Sequence, residues 1–277
     1  MVVVAFAFQT GSALATHLID HVGVFEAVWL RTAFGAAILA LVGRRALGWP
    51  EKGHRFDFVA LTVSLAAMNL SFYGAISYAP LGIVVTVEFL GPLTVAVVGT
   101  RRLVDFVWVG LAAVGVVLLA GPTSSVSALG LGLALLAATC WGSFVVFAKR
   151  TVMAMDPLPV VTSMLAGATL LLTPAMIASG PSSLLDGTAL LLGLAVATLS
   201  SAFPYVLELV ALRLVRAATY GVFLSIEPAV AALLGFVVLS QHLSLAEWVA
   251  IAAVVAAAAG ASWTSRDGAE VVEITAA

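Results

Sequence analysis

Fourteen acidic and twelve basic residues are spread over 277 positions, and few of them fall inside the long apolar runs. Two of these few are related. Glu88 lies in GIVVTVEFLGP (82–92) and Glu227 in GVFLSIEP (221–228). Each stretch reads Gly, a hydroxyl residue, Glu and then Pro, and the pairs 82/221, 86/225 and 88/227 are each 139 residues apart. A carboxylate in such a run can hold a proton or a cation in turn. If the run crosses a bilayer, a charge at its centre costs about 2.5–3.5 kcal/mol, so the residue marks a site of use. A helix break accompanies each glutamate. Pro92, preceded by Gly91, has no N–H and frees the carbonyl of Glu88 four residues back. Pro228 biases Glu227 away from helical geometry. The freed polarity must be satisfied inside the protein, for instance by a cavity.

Arg31 is the one basic residue inside an apolar run. Its planar fork suits a substrate carboxylate; the competing readings are a snorkelling arginine and a structural Arg31–Glu88 pair. Glu208 shares a helix face with Tyr205, three residues earlier. It is expected near a helix end, pairing with Arg213 or reaching water. Softer polar groups also share faces: Gln9, Ser12 and Thr16; Asn69 and Tyr73; Tyr220, Phe223 and Glu227; Trp141 and Ser143 about Gly142. Such faces either join helices or touch substrate. His17, His21, His54 and His242 lie near loops and read as interfacial.

The elements that must position these groups follow from composition. Hydrophobic residues make up 62% and charged residues 9%, against about 25% charged in soluble domains. So few charges cannot cover a soluble surface, so the bilayer is the expected solvent. Ten apolar segments are long enough to cross it, at about 2–19, 24–42, 57–78, 81–99, 104–121, 128–148, 158–178, 187–211, 218–239 and 244–263. Pro157, Pro159, Pro174 and Pro204 mark their ends or kinks. The first run reads as a transmembrane helix and not as a cleavable signal. Eleven of the twelve Lys and Arg residues follow the even-numbered segments, which predicts both termini in the cytoplasm.

With five helices per half, the second half starts on the opposite side. The offset is 131 at Gly11-Ser12/Gly142-Ser143, 132 at Gly35/Gly167 and 139 at Gly121/Gly260. The expected fold is an all-α integral membrane protein of two inverted repeats, 1–122 and 128–264, with a polar, frayed tail at 265–277. Binding sites of such carriers lie near the midplane, where the halves meet. Glu88 and Glu227 are expected roughly 10–13 Å deep from opposite surfaces at 1.5 Å per residue.

Other function classes fall away. Cys140 is the only cysteine, so no disulfide framework or multi-cysteine metal site can form. A net charge of −2 gives no sign of nucleic-acid binding. HExxH, P-loop and GxSxG motifs are absent, so neither an enzyme nor an ATPase is expected, and no metal or cofactor. Active transport would draw on an ion gradient.

The stretches MNLSFYGAISYAPLGIVVTVEFLGPL (68–93), RRLVDFVWV (101–109), AATCWGSFVVFAKR (137–150), LSSAFPYVLELVALRL (199–214) and TYGVFLSIEPAVA (219–231) resemble the drug/metabolite transporter superfamily. The resemblance covers nearly the whole chain and is to the EamA-type, threonine/homoserine exporter branch. It implies a secondary active transporter in the cytoplasmic (inner) membrane, exporting small amino acids or related metabolites; the deeply placed carboxylates suggest protons as coupling partner. A homodimer is compatible with it. The sequence departs from the branch in lacking a hydrophilic stretch before the first helix, which leaves a truncated start as an expectation. It departs again at SQHL (240–243), where a Gly-Glu pair is frequent. The alternatives are a carrier of another cargo (a nucleobase, a drug-like cation or a sugar derivative) and a non-transporting membrane scaffold or sensor.

Overall fold

The computed structural model describes residues 2–43, 47–98, 103–119, 126–214 and 225–275. Among these the chain forms twelve α-helices and no strand. They are α1 (Val2–Val22), α2 (Val24–Val42), α3 (Arg55–Ile76), α4 (Leu81–Glu88), α5 (Leu90–Val98), α6 (Leu103–Leu119), α7 (Ala128–Ala154), α8 (Pro157–Ala178), α9 (Gly187–Ala197), α10 (Phe203–Leu214), α11 (Glu227–Leu239) and α12 (Leu245–Thr275).

Local chemistry sets the boundaries. Gly23, at φ 97°, makes the turn between α1 and α2 on its own. Ser127 caps α7 by accepting from the Gly130 N–H at 3.0 Å. At α12, Ser244 and Glu247 form a reciprocal capping box: the Ser244 N–H donates to Glu247 Oε2 at 2.7 Å, and the Glu247 N–H to Ser244 Oγ at 3.3 Å. α11 stops at Ser240, whose φ of 53° is left-handed; the next N–H, of Gln241, bonds back to the Gly235 carbonyl at 3.0 Å.

Two expected spans are interrupted, both by proline. The run 81–99 divides into α4 and α5 at Phe89, one residue past Glu88. The run 187–211 contains a π turn, Thr198–Ala202, between α9 and α10. Pro204 lacks the N–H that would have bonded to the Ser200 carbonyl, so the ladder cannot continue there as a regular α-helix. Pro174, by contrast, sits inside α8 without ending it. Glu227 opens α11, with Pro228 in the first turn where its missing N–H costs nothing. The tail from Ser265 differs from expectation, since the backbone stays helical to Thr275. Extending an existing helix is far easier than starting one.

Five helical stretches are long and apolar enough to cross a membrane: Val24–Val42, Lys52–Ile76, Ala128–Ala154, Pro157–Ala178 and Gly187–Leu214. Shorter apolar helices cover Leu81–Val95, Phe106–Leu119, Glu227–Leu239 and Leu245–Ala261. Packing joins the two ends of the sequence: α2 lies on α8, α4 on α11, α6 on α12, α3 on α7, and α1 on α9 and the π turn. Small residues permit the closest crossings. A methyl at Gly82 would come within 2.6 Å of the Ala232 backbone, fixing the α4–α11 approach. One at Gly91 would overlap the Ala138 carbonyl, so α5 and α7 touch backbone to backbone.

Candidate functional site

Arg31, 1% exposed, is carried by α2 to the π turn. The carbonyl that Pro204 leaves free, that of Ser200, accepts from Arg31 Nη2 at 2.7 Å. Arg31 Nε donates to Ser201 Oγ at 2.8 Å, and Nη2 also reaches the Tyr205 hydroxyl at 3.3 Å. The rings of Phe8, Tyr73 and Tyr205 surround the guanidinium, with centroids 5.4, 5.3 and 5.8 Å from its carbon. These contacts replace the water that a buried cation would otherwise lose.

Neither bland reading of Arg31 survives this geometry. It does not snorkel, because it is enclosed. It forms no ion pair with Glu88, since among the described residues the ion pairs are His21–Asp186, Arg150–Asp57 and Arg213–Asp156. Nε and Nη2 are engaged within the protein, and only Nη1 is outside these bonds.

Arg31 lines a cavity together with Phe8, Gln9 and Ser12 of α1, Met68, Asn69 and Phe72 of α3, Glu88 of α4, Trp141 of α7, Tyr205 and Glu208 of α10, and Glu227 of α11. Eight of the ten side chains singled out from sequence as binding or coupling groups are thus brought together: Gln9, Arg31, Asn69, Glu88, Trp141, Tyr205, Glu208 and Glu227. Tyr73 lies outside the lining, wholly buried under Arg31, its hydroxyl beside Arg31 and Ser200 without a well-formed hydrogen bond. Tyr220 lies outside the described residues. The free space is about 30 Å³, on the order of one or two water positions.

The glutamates are nearly closed off from solvent: Glu88 and Glu227 are 8% exposed and Glu208 6%. Glu208 is within electrostatic reach of both others. This corrects its expected place near a helix end. Arg213 follows Glu208 by five residues, about 140° around a helix, and it bonds Asp156 instead at 2.7 Å. Among the described residues no three His, Cys, Asp or Glu side chains are placed to hold a metal ion.

Sequence reasoning missed Phe8, Met68 and Phe72 as lining residues, and Ser200 and Ser201 as partners of Arg31. The apolar three carry no signal that separates them from lipid-facing neighbours. The serines had one, the proline at 204 that frees a carbonyl four residues earlier. Around the cavity, Trp141 meets Phe89 edge-on at 5.8 Å, and Tyr205 meets Phe8 at 5.6 Å. Tyr205 donates its hydroxyl hydrogen to Asn69 Oδ1 at 3.2 Å.

A helical bundle of long apolar helices around a small, charged cavity defines a multi-pass membrane protein. Comparison with known proteins places it more closely. The EamA-like transporter family matches residues 128–263. The threonine/homoserine exporter RhtA of Escherichia coli (strain K12) is 36% identical over 277 residues, covering 99% of this chain and 94% of that protein. Its namesake in Salmonella typhimurium (strain LT2) is 36% identical over 263 residues, 94% of this chain and 89% of that one. A protein crystal structure superposes with a TM-score of 0.67 at 21% identity, covering 95% of this chain and 96% of its own, which shows the shared fold. The chain belongs to the EamA-like transporter family.

Proposed function

We propose that this chain is a secondary carrier exporting small amino acids, with threonine and homoserine the first candidates, across the cytoplasmic membrane in exchange for protons. The observation that carries the reading is the gathering of Glu88, Glu208, Glu227 and Arg31 on one buried cavity lined from both halves of the chain. An amino acid carries a carboxylate and an ammonium group. Arg31 offers the first a positive charge and the N–H groups of Nη1; the glutamates offer the second an acceptor. When cargo leaves, a vacated glutamate can take up a proton and return with it.

Ten spans in two inverted repeats, with both termini cytoplasmic, complete the proposal. Paired contacts support it. A methyl at Gly35 would meet Ser201 at 3.2 Å, and one at Gly167 would meet Thr62 at 2.8 Å. Gly35/Gly167 are 132 apart and Thr62/Ser201 139 apart, so one contact recurs with the halves exchanged. Gly115 likewise packs on Val254, its own counterpart at 139. Because the cavity is too small for an amino acid, the halves must part to admit one, first to one side and then to the other.

The test is efflux of labelled threonine and homoserine from proteoliposomes, with and without an imposed pH gradient. The gradient is expected to accelerate wild-type flux, and Glu88→Gln and Glu227→Gln to lower it at least about tenfold. Both variants transporting at the wild-type rate, with unchanged pH dependence, would overturn the coupling assignment.

A further inference from the structure

Two amides on the cavity have polar atoms with no partner. Gln9 and Asn69 are each 2% exposed, and both line the cavity. Gln9 Oε1 and Asn69 Nδ2 meet no hydrogen-bond partner among the described residues. Tyr205 takes one atom of the Asn69 amide and leaves the other open. Buried polar groups are almost always satisfied, so an open pair on a cavity calls for an occupant. The pair supplies one acceptor from α1 and one donor from α3. A hydroxyl, which donates one hydrogen and accepts through its lone pairs, satisfies both of these buried atoms at once.

From these two open atoms we infer that Gln9 and Asn69 read the side-chain hydroxyl of the cargo, and that the carrier thereby prefers hydroxy amino acids to their deoxy analogues. This rests on the reading of the chain as an amino-acid carrier. The division of labour is consistent with the rest of the cavity. Arg31 and the glutamates suit the charged groups that all amino acids share, whereas the neutral amides can bond a neutral polar group without leaving a charge unpaired. Their use is in discrimination. An apolar wall cannot strongly reject an analogue by one polar group, while a site built to bond a hydroxyl can reject its absence by as much as about 10⁴–10⁵. A resident water could satisfy the same two atoms, and the two occupants behave differently under test.

Removing the hydroxyl from either threonine or homoserine gives the same compound, 2-aminobutyrate, so a single analogue serves both. Efflux of the three would be compared in proteoliposomes for wild type, Gln9→Leu and Asn69→Leu. Wild type is expected to favour the hydroxy amino acids at least about tenfold. Each variant should bring their flux down toward that of 2-aminobutyrate, leaving the latter within about twofold. Gln9→Leu carries the test if Asn69→Leu, which also loses the Tyr205 bond, fails to fold. Its melting temperature should hold or rise, because an unsatisfied acceptor is removed. An unchanged flux ratio in Gln9→Leu would overturn the hydroxyl assignment. So would a parallel fall of all three fluxes, which a structural water predicts. Both results leave the carrier reading standing. Wild-type protein that moves none of the three would overturn the carrier reading and this inference with it.

Discussion

Positions 31 and 163 are 132 apart, as Gly35 and Gly167 are, yet they carry different chemistry. In the first half stands Arg31, wholly enclosed and bonded to the π turn; in the second stands Ser163, accepting from the Gly48 N–H at 2.8 Å. Positions 69 and 208, 139 apart, are Asn and Glu, and both line the cavity. Only 88 and 227 keep the same residue and the same cavity. The carboxylates shared between the halves are therefore the constant element. The cation and the neutral amide are where the paired positions differ, and they make the cavity lopsided.

Several substitutions would break or sharpen this contrast. A large effect is expected at Arg31. Arg31→Leu strands the Ser200 carbonyl and removes the cation within electrostatic reach of Glu88, which should cost about 3 kcal/mol. Ser163→Ala, its counterpart, should cost about 1 kcal/mol for one hydrogen bond. Chemical denaturation in detergent would compare them, and equal losses would remove the asymmetry.

The next effect concerns the residue three past each glutamate. Gly91 has no room for a side chain beside α7, whereas Val230 occupies the matching place in α11 at 4% exposure. Gly91→Val should prevent the α5–α7 approach and yield little folded protein. Val230→Gly should fold, losing about 2–3 kcal/mol from the missing side chain and added backbone freedom. Folded yield by size-exclusion chromatography checks both.

Ser240 ends α11 in a left-handed conformation that an L side chain pays for. Ser240→Gly should raise stability by about 1 kcal/mol, read as a higher melting temperature. The smallest effect lies where the halves are clamped by His21 and Asp186, 2.7 Å apart. The hydrogen bond from His21 holds the Asp186 carboxyl below its usual range, helped by the His21 charge and the Gly187 and Thr188 N–H groups. A depressed carboxylate stabilises the fold above its unfolded value, near pH 4, and that contribution fades as pH falls through the lower folded value. Melting temperatures of wild type should therefore drop slightly more than those of His21→Ala between pH 5 and pH 2.

The sequence made some of this legible and hid the rest for identifiable reasons. A carboxylate in an apolar run is rare, so Glu88 and Glu227 stood out, and their common spacing pointed to related surroundings. Pro92 marked the division of α4 from α5. Glu208 was misplaced because its distance from the helix end was considered without the five-residue step to Arg213. The fate of Arg31 depended on a carbonyl in a segment some 170 residues away, opened by Pro204. Phe8, Met68 and Phe72 were invisible because an apolar residue facing a cavity looks like one facing lipid.

The bond between Arg31 and the π turn also has a mechanical meaning. It rivets α2 to the α9–α10 segment across the two halves of the sequence. Pulling this rivet would leave a guanidinium and a carbonyl stranded in an apolar interior, so it resists the separation of α2 from α9–α10.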